Sequence, residues 1–263
     1  MYINHGLKVI ICLISVLLLP YSLHAAEGSV KIRVGAYNVL FGKYGTPKQF
    51  GDALKKYNFD IIGFNEAPDG EWTKEVGKFL GMNYAYVGKI SSANHKDKYK
   101  SILSRTPLTF TEEFPIKGRG WNPCSVVKGT TDVRGVKLNF YSLHICESHN
   151  DKGHGYYLAS EILSRDKSKN IIVVGDFNNH LNDYPMQQLD KAGFRAAWED
   201  VKIHLTAKWT WNAFTPKGET GVIDHILYNK SSGAKATQAE VIEMEKHISD
   251  HKAVRAEITF PNK

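Results

Sequence analysis

The sequence has few cysteines and no long run of like charge. Of its three cysteines, Cys12 lies in an apolar segment near the start, which leaves Cys124 and Cys146 for the rest of the chain. No Lys/Arg block, low-complexity tract, internal repeat or coiled-coil pattern is present. The remaining pair can therefore close at most one disulfide, a repeat architecture is excluded, and a monomer is the expected state.

A long apolar run is also missing. The run from Val9 to Leu19 is shorter than the roughly 20 residues that span a bilayer. Pro20 ends it, and Ala25-Ala26 supply small residues for cleavage. This pattern predicts a signal peptide over residues 1–26, with an uncleaved membrane anchor as the alternative. We expect residues 27–263 to form one exported domain, periplasmic or secreted, without stable membrane insertion after cleavage.

Positive charge exceeds negative charge only mildly. The chain has 34 Lys and Arg against 27 Asp and Glu, a formal net charge of +7, and Lys8 is the one charged residue of the predicted leader. This excess suits a polyanionic substrate such as nucleic acid. A solvated surface that happens to be basic explains it equally well.

The two later cysteines flank a predicted β-hairpin with its turn at Arg134-Gly135. Counting outward from the turn places Cys124 nearly opposite Cys146, within about one residue of register. In an oxidising compartment the pair can close a disulfide. Two buried free thiols are the alternative.

The most informative stretch is NIIVVGDFN, from Asn170 to Asn178. Its four consecutive aliphatic residues are rich in β-branching and are followed by a glycine, which predicts a strand buried on both faces. Asp176 and Asn178 follow that strand two residues apart, so both side chains point the same way. We predict that they help to hold a hard divalent cation and an attacking water.

The rest of the chain alternates predicted strands with predicted helices, and strands are in the majority. This pattern predicts an α/β sandwich with strands packed face to face and helices outside. The predicted strands include VKIRVGAYNV, DIIGFNE, both arms of the hairpin, VIDHILYN and AVRAEITF, and the predicted helices begin at or just after Pro47, Asp69, His154 and Pro185.

Polar residues recur where these strands begin or end, in the motifs AYNVL, GFNE, KSILSRTPL, YSLH, GDFN, VIDHI and SDH. In this order they resemble the endonuclease/exonuclease/phosphatase superfamily, the DNase I-like metallo-phosphoesterases, over nearly the whole chain after the leader. The resemblance implies a DNase I-like four-layer α/β sandwich of two packed, mainly antiparallel sheets with outer helices. It also implies divalent-metal-dependent phosphoester hydrolysis.

The resemblance implies a metal site. Glu66 and Asp250 would be the oxygen ligands of Mg²⁺, with Asn38 nearby. Carboxylates, amides and water suit that hard cation, and Mn²⁺ or Ca²⁺ are possible substitutes. The cation would neutralise the phosphate oxygens and stabilise charge on the leaving oxygen.

The same resemblance implies roles for five further residues. His251 would act as general base or organise the attacked phosphate, while Asp224 holds its ring. Asp176 would orient or deprotonate the water, and Asn178 would fix the water and a phosphate oxygen. His144 would contact the phosphate or serve as acid for the leaving oxygen, and the roles of the two histidines are interchangeable at this stage.

Three aromatic residues are candidate substrate contacts. Tyr99 stands where some nucleases of the family carry a phosphate-contacting tyrosine. Trp209 and Trp211 have faces suited to stacking on a base or a sugar, or they pack their loop against the sandwich.

Three functions remain open. An exported nuclease or phosphodiesterase fits the charge, the leader and the aromatic loop. The alternative is a phosphatase or phosphodiesterase acting on a small phosphorylated molecule or a lipid head group. The long insertions of sphingomyelinase relatives and the signature of inositol-polyphosphate phosphatases are missing, which weakens this alternative. A noncatalytic binding module on the same fold is the third possibility.

Overall fold

The protein is described from a computed structural model that covers Met1 and residues 28–146, 152–203, 208–215 and 221–261. Apart from Met1, the predicted leader lies outside this part of the chain. Across the described ranges, no helix has both the length and the apolar character needed to cross a membrane.

Twelve strands and five α-helices make up the described framework. The strands are β1 (Ser29–Asn38), β2 (Ile61–Ala67), β3 (Tyr84–Val87), β4 (Tyr99–Ser104), β5 (Phe110–Ile116), β6 (Cys124–Val133), β7 (Val136–His144), β8 (Ile171–Asp176), β9 (Phe194–Ala196), β10 (Asp224–Asn229), β11 (Lys235–Val241) and β12 (Val254–Pro261). The helices are α1 (Pro47–Lys55), α2 (Gly70–Leu80), α3 (His154–Tyr157), α4 (Tyr184–Lys191) and α5 (Ala197–Val201), and α3 continues through π-helical and 3₁₀ turns to Arg165.

The strands form two six-stranded sheets. The first has the order β11-β12-β1-β2-β4-β3 and the second β5-β6-β7-β8-β10-β9. One central pair in each sheet is parallel, β1 with β2 and β7 with β8, and the other described pairs are antiparallel. The predicted sandwich of two mainly antiparallel sheets is therefore confirmed.

The two sheets pack face to face through their central strands. Gly63 of β2 lies so close to the second sheet that a Cβ there would stand 2.6 Å from Ser142 Oγ and 2.7 Å from Val174 Cγ2. A second apolar cluster, which includes Phe50, Leu54 and Val76, joins α1 and α2 to the first sheet. The opposite outer layer contains α3 with its π-helical continuation and α4, and Leu158, Met186 and Leu189 of this layer belong to the main core.

Local sequence explains where the predicted helices begin. Thr46 and Gln49 form a capping box at α1, whose first residue is Pro47. Asp69 caps α2 by accepting the Trp72 N–H at 2.7 Å. All six residues of β8 are buried, which confirms the central strand predicted from its aliphatic run.

The predicted bridge between Cys124 and Cys146 is wrong, since no disulfide joins these two buried residues. The hairpin register explains this outcome. Val126 pairs with Leu143, so continuing the register places Cys124 opposite Ile145, one residue short of Cys146. Successive side chains of an extended chain point to opposite faces, so a one-residue offset separates the two sulfur atoms.

Candidate active site

The carboxyl ends of the central parallel strands meet at one edge of the sandwich. In the first sheet Asn38 lies opposite Asn65, the residue before Glu66, and in the second sheet His144 lies opposite Asp176. Asp224, the first residue of β10, pairs with Asp176 from the other side. The topology thus gathers polar residues that are far apart in sequence.

Asp176 lies at the centre of this group and is 1% exposed. Its Oδ2 accepts a hydrogen bond from Asn38 Nδ2 at 2.9 Å, and its Oδ1 accepts the Asn178 N–H at 2.9 Å. Its own N–H donates to Asn65 Oδ1 at 2.9 Å. These contacts from both sheets hold the carboxylate in one orientation.

Two histidines flank the Asp176 carboxylate. His144 Nε2 and His251 Nε2 each lie 3.5 Å from Asp176 Oδ2. On its far side, the His251 ring donates through Nδ1 to Asp224 Oδ2 at 2.9 Å. The predicted Asp224–His251 pairing is therefore present, and it directs Nε2 of His251 towards Asp176.

Burial and charge push the pKa values of these groups apart. Burial raises the pKa of Asp176 to about 7, although the charge of His251 opposes the shift. Burial alone would lower the pKa of His251, but the carboxylates of Asp224 and Asp176 outweigh it and raise that pKa to about 10. Burial, followed by the charge of Lys100, holds the pKa of His144 well below its usual range.

These directions separate the roles of the three groups. The raised pKa of His251 favours an imidazolium, which suits organising a phosphate better than abstracting a proton. His144 is favoured as a neutral imidazole. Asp176 titrates near neutrality, which is the property that a general base requires.

Glu66 contributes a further carboxylate to the site from the first sheet. It lies at a bulge between β2 and β4 with φ of +52°, a conformation that costs a non-glycine residue on the order of 1–3 kcal/mol. Its Oε1 is 3.8 Å from His144 Nδ1, and its Oε2 is 2.9 Å from the ammonium of Lys98. The bulge thus directs a buried carboxylate into the site.

The donor set fits a divalent cation. Ligand atoms of Asp176, Asp224 and His251 all lie within 4.8 Å of one another, and with His251 as an imidazolium the two carboxylates of this trio are the available ligands. Glu66 Oε2 and Asp224 Oδ1 are buried and accept no hydrogen bond from the described residues, since the Lys98 ammonium is close to Oε2 but not aligned for one. Buried carboxylate oxygens without donors are what a hard cation would satisfy.

The predicted metal residues differ in their surroundings. Glu66 and Asp250 lie outside the trio of Asp176, Asp224 and His251, so their role as ligands stays a prediction. The side-chain oxygen of Asn38 accepts the Leu40 N–H at 3.1 Å, which favours a hydrogen-bonding role for this residue.

Asn178 and the predicted aromatic contacts are placed differently. Asn178 has φ of +49° and donates from Nδ2 to Ile145 O at 2.9 Å, which ties the ends of β7 and β8 together. Tyr99 begins β4 opposite Ala67, one residue beyond Glu66. Its phosphate contact stays a prediction.

The two tryptophans have different environments. The ammonium of the buried Lys252 lies 3.5 Å from the ring centroid of Trp209, so this ring packs its loop against the sandwich. Trp211 is 44% exposed and forms a backbone bridge with His251. Of the two, Trp211 has the better position for contacting a substrate.

Three positioning residues were not predicted from sequence. Asn65 receives the Asp176 N–H and donates from Nδ2 to Ser142 Oγ at 3.3 Å, so it bridges the two sheets. Ser249 Oγ donates to Asn38 O at 2.7 Å and accepts the His251 N–H at 3.2 Å. Asn65 and Ser249 each stand beside a predicted residue in GFNE and SDH, and this adjacency was the available signal. Lys98 had none.

Comparison with known proteins places these features in a family. The sequence profile described as "Endonuclease/Exonuclease/phosphatase family" matches residues 35–251. A comparison with curated protein sequences finds no significant match.

Solved structures share the fold at low identity. A family protein from Bacteroides thetaiotaomicron is 19% identical with a TM-score of 0.71, covering 89% of this chain and 96% of that chain. A mannosyl-6-phosphatase from Bacteroides thetaiotaomicron VPI-5482 is 20% identical with a TM-score of 0.68, covering 87% and 100%. D. rerio TDP2, complexed with a single-strand DNA product, is 15% identical with a TM-score of 0.63, covering 87% and 98%.

At these identities the structural likeness establishes the fold alone. The family itself is shown by the profile, which spans most of the chain and ends at His251. Its members are generally divalent-metal-dependent phosphoester hydrolases. The chain belongs to the endonuclease/exonuclease/phosphatase family.

Proposed function

We propose that the protein is an exported, Mg²⁺-dependent hydrolase that cleaves phosphodiester bonds in nucleic acid. The observation that carries this proposal is the position of Asp176, whose Oδ2 lies 3.5 Å from both His144 Nε2 and His251 Nε2. A base with a pKa near neutrality between two imidazoles is an arrangement for activating water beside a phosphate.

The chain's own groups remove the proton from the attacking water and orient the phosphate. Asp176 accepts a proton from the attacking water, and Asn38 and Asn178 keep its carboxylate oriented. The His251 imidazolium, held by Asp224, donates a hydrogen bond to a phosphate oxygen. His144 Nε2, which also lies 3.5 Å from Asp176 Oδ2, would contact the leaving oxygen.

Mg²⁺ is the proposed cation, with Mn²⁺ or Ca²⁺ as substitutes. Glu66 and Asp250 are its proposed ligands. When bound, it would neutralise phosphate oxygens and stabilise charge on the leaving oxygen.

Nucleic acid is the proposed substrate for three reasons. The formal net charge is +7, which favours a polyanion. Trp211 presents an exposed ring beside His251. The structurally similar D. rerio TDP2 was solved with a DNA product. Export is proposed from the leader-like residues 1–26.

A small phosphomonoester is the second candidate, and two lysines favour it. Lys98 and the buried Lys100 add positive charge on the Glu66 and His144 side of the site, which suits a phosphate dianion. The similar mannosyl-6-phosphatase is a phosphatase by name.

Hydrolysis of matched substrates tests the proposal. The protein is incubated with supercoiled plasmid, a single-stranded oligonucleotide and a panel of sugar phosphates in Mg²⁺, with Asp176→Ala as the inactive control. We expect nicking that the variant lacks and that weakens steeply as salt rises, because a polymer makes many phosphate contacts. If the plasmid stays intact and a sugar phosphate releases phosphate, the result would support the second candidate, a phosphatase. No turnover of any substrate would refute hydrolysis.

A further inference from the structure

Lys98 forms an ion pair with a predicted metal ligand. Its Nζ lies 2.9 Å from Glu66 Oε2, and the two side chains are 19% and 8% exposed. The ammonium also lies 5.5 Å from the ring centroid of Phe41, which follows the end of β1. Lys98 is thus held at the mouth of the site by one carboxylate and one aromatic face.

Among the described residues, few groups near Glu66 can balance its negative charge. The other carboxylate oxygen of Glu66 faces His144 Nδ1 at 3.8 Å, which is beyond hydrogen-bond distance. Lys100, two residues after Lys98, is buried and donates to Ile90 O at 2.7 Å. Lys98 therefore provides the nearest cationic partner that Glu66 has among the described residues.

The contact between Lys98 and Glu66 is short, but it is not aligned as a hydrogen bond. The Lys98 ammonium lies within ion-pair distance of Glu66 Oε2, yet that oxygen accepts no hydrogen bond within the described part of the chain. A lysine carries its charge on a flexible four-carbon stem, so its ammonium can leave the carboxylate without a change in the backbone.

A divalent cation and the Lys98 ammonium would repel each other at this oxygen. Mg²⁺ binds carboxylate oxygens at about 2.1 Å, which would place two positive charges within a few ångströms of each other in a buried site. Each cation therefore weakens the binding of the other to Glu66.

We propose that Lys98 competes with the divalent cation for Glu66, and that metal binding redirects its ammonium to the phosphate of the substrate. Lys98 then weakens metal binding in the free protein and strengthens phosphate binding in the metal-loaded protein. This inference rests on the metal site of the proposed function.

Direct measurement of metal binding distinguishes competition by Lys98 from a purely structural role of this residue. Mn²⁺ binding is followed by electron paramagnetic resonance, with Mg²⁺ as competitor, for the wild type and Lys98→Met. Lys96→Met is the matched control, because Lys96 is exposed in the same loop. We expect Lys98→Met to bind Mn²⁺ about tenfold more tightly, since a competing charge is removed. Lys96→Met and the charge-conserving Lys98→Arg should stay within about twofold of the wild type.

Steady-state kinetics supply the second half of the test. For a phosphoester that the wild type hydrolyses at saturating metal, Lys98→Met should raise KM about tenfold and leave kcat within about threefold. A structural role would weaken metal and substrate binding together. Unchanged or weaker Mn²⁺ binding by a folded Lys98→Met protein overturns the proposal. If the wild type itself binds neither Mn²⁺ nor Mg²⁺, the metal site of the proposed function fails and this inference with it.

Discussion

His251 donates a 2.9 Å hydrogen bond from Nδ1 to Asp224 Oδ2, while its Nε2 lies 3.5 Å from Asp176 Oδ2. One imidazole thus joins the first residue of β10 to the last residue of β8. Because the carboxylate of Asp224 is the largest cause that raises the pKa of His251, it keeps the ring charged. The pair determines both the orientation and the charge of this imidazole.

Asp224→Asn should therefore impair catalysis with little effect on folding. The amide is isosteric with the carboxylate but lacks its charge, so the pKa of His251 should fall and the imidazolium should be lost near neutral pH. We expect kcat/KM to fall by on the order of 10² or more. Steady-state kinetics check this, with Asp52→Asn on the surface of α1 as the control. A loss under tenfold would mean that the charge of Asp224 is not needed.

Gly175 should tolerate no side chain. It has φ of +141°, and a Cβ there would lie 2.1 Å from the carbonyl oxygen of Leu143, which belongs to the neighbouring strand and cannot move aside. We expect Gly175→Ala to lower the free energy of unfolding by about 3 kcal/mol. Urea unfolding measures the change.

Gly70→Ala is the control for Gly175→Ala, because the nearest atom to its Cβ would be 3.8 Å away. It should leave the urea midpoint almost unchanged. Equal midpoints for the two variants would show that β7 and β8 are not as closely packed as described.

His225 should make the protein less stable in acid. Its ring is buried, Nδ1 accepts the Trp198 Nε1–H at 3.1 Å, and Nε2 contacts Asn179 O at 2.9 Å. Burial lowers its pKa to about 4. Below an ordinary pKa of about 6.5 the unfolded chain binds this proton before the folded chain does, so stability is lost as the pH falls from about 6.5 to 4.

The loss attributable to His225 should be about 3 kcal/mol over that interval. Urea unfolding of the wild type at several pH values measures it. His225→Gln, whose amide can keep both hydrogen bonds, should show a shallower decline, while the exposed His95→Gln should follow the wild type. Parallel curves for wild type and His225→Gln would contradict the assignment.

Much of the central architecture could be predicted from the sequence because its signals are local. The aliphatic run of β8 and the polar residues after it identify Asp176 without any knowledge of distant contacts. The unpredicted strands β5, β9 and β11 all lie at sheet edges. β5 is largely exposed, β11 mixes buried and exposed residues around a register shift, and β9 has three residues, so none carries a clear apolar pattern.

The contacts between distant residues could not be predicted from local patterns. Asn65 reaches Asp176 across the sandwich, and Lys98 reaches Glu66 through the pairing of β2 with β4. The register of the β6–β7 hairpin likewise decided against the predicted bridge, because an error of one residue reverses the direction of a side chain.

The most direct test of the account is hydrolysis by the wild type and Asp176→Ala, each assayed after treatment with EDTA and again after addition of Mg²⁺. We expect EDTA to abolish turnover by the wild type, Mg²⁺ to restore it, and Asp176→Ala to stay at least about 10²-fold slower than the wild type in Mg²⁺. Turnover that persists in EDTA, or an Asp176→Ala rate within tenfold of the wild type, would contradict metal-assisted hydrolysis centred on Asp176.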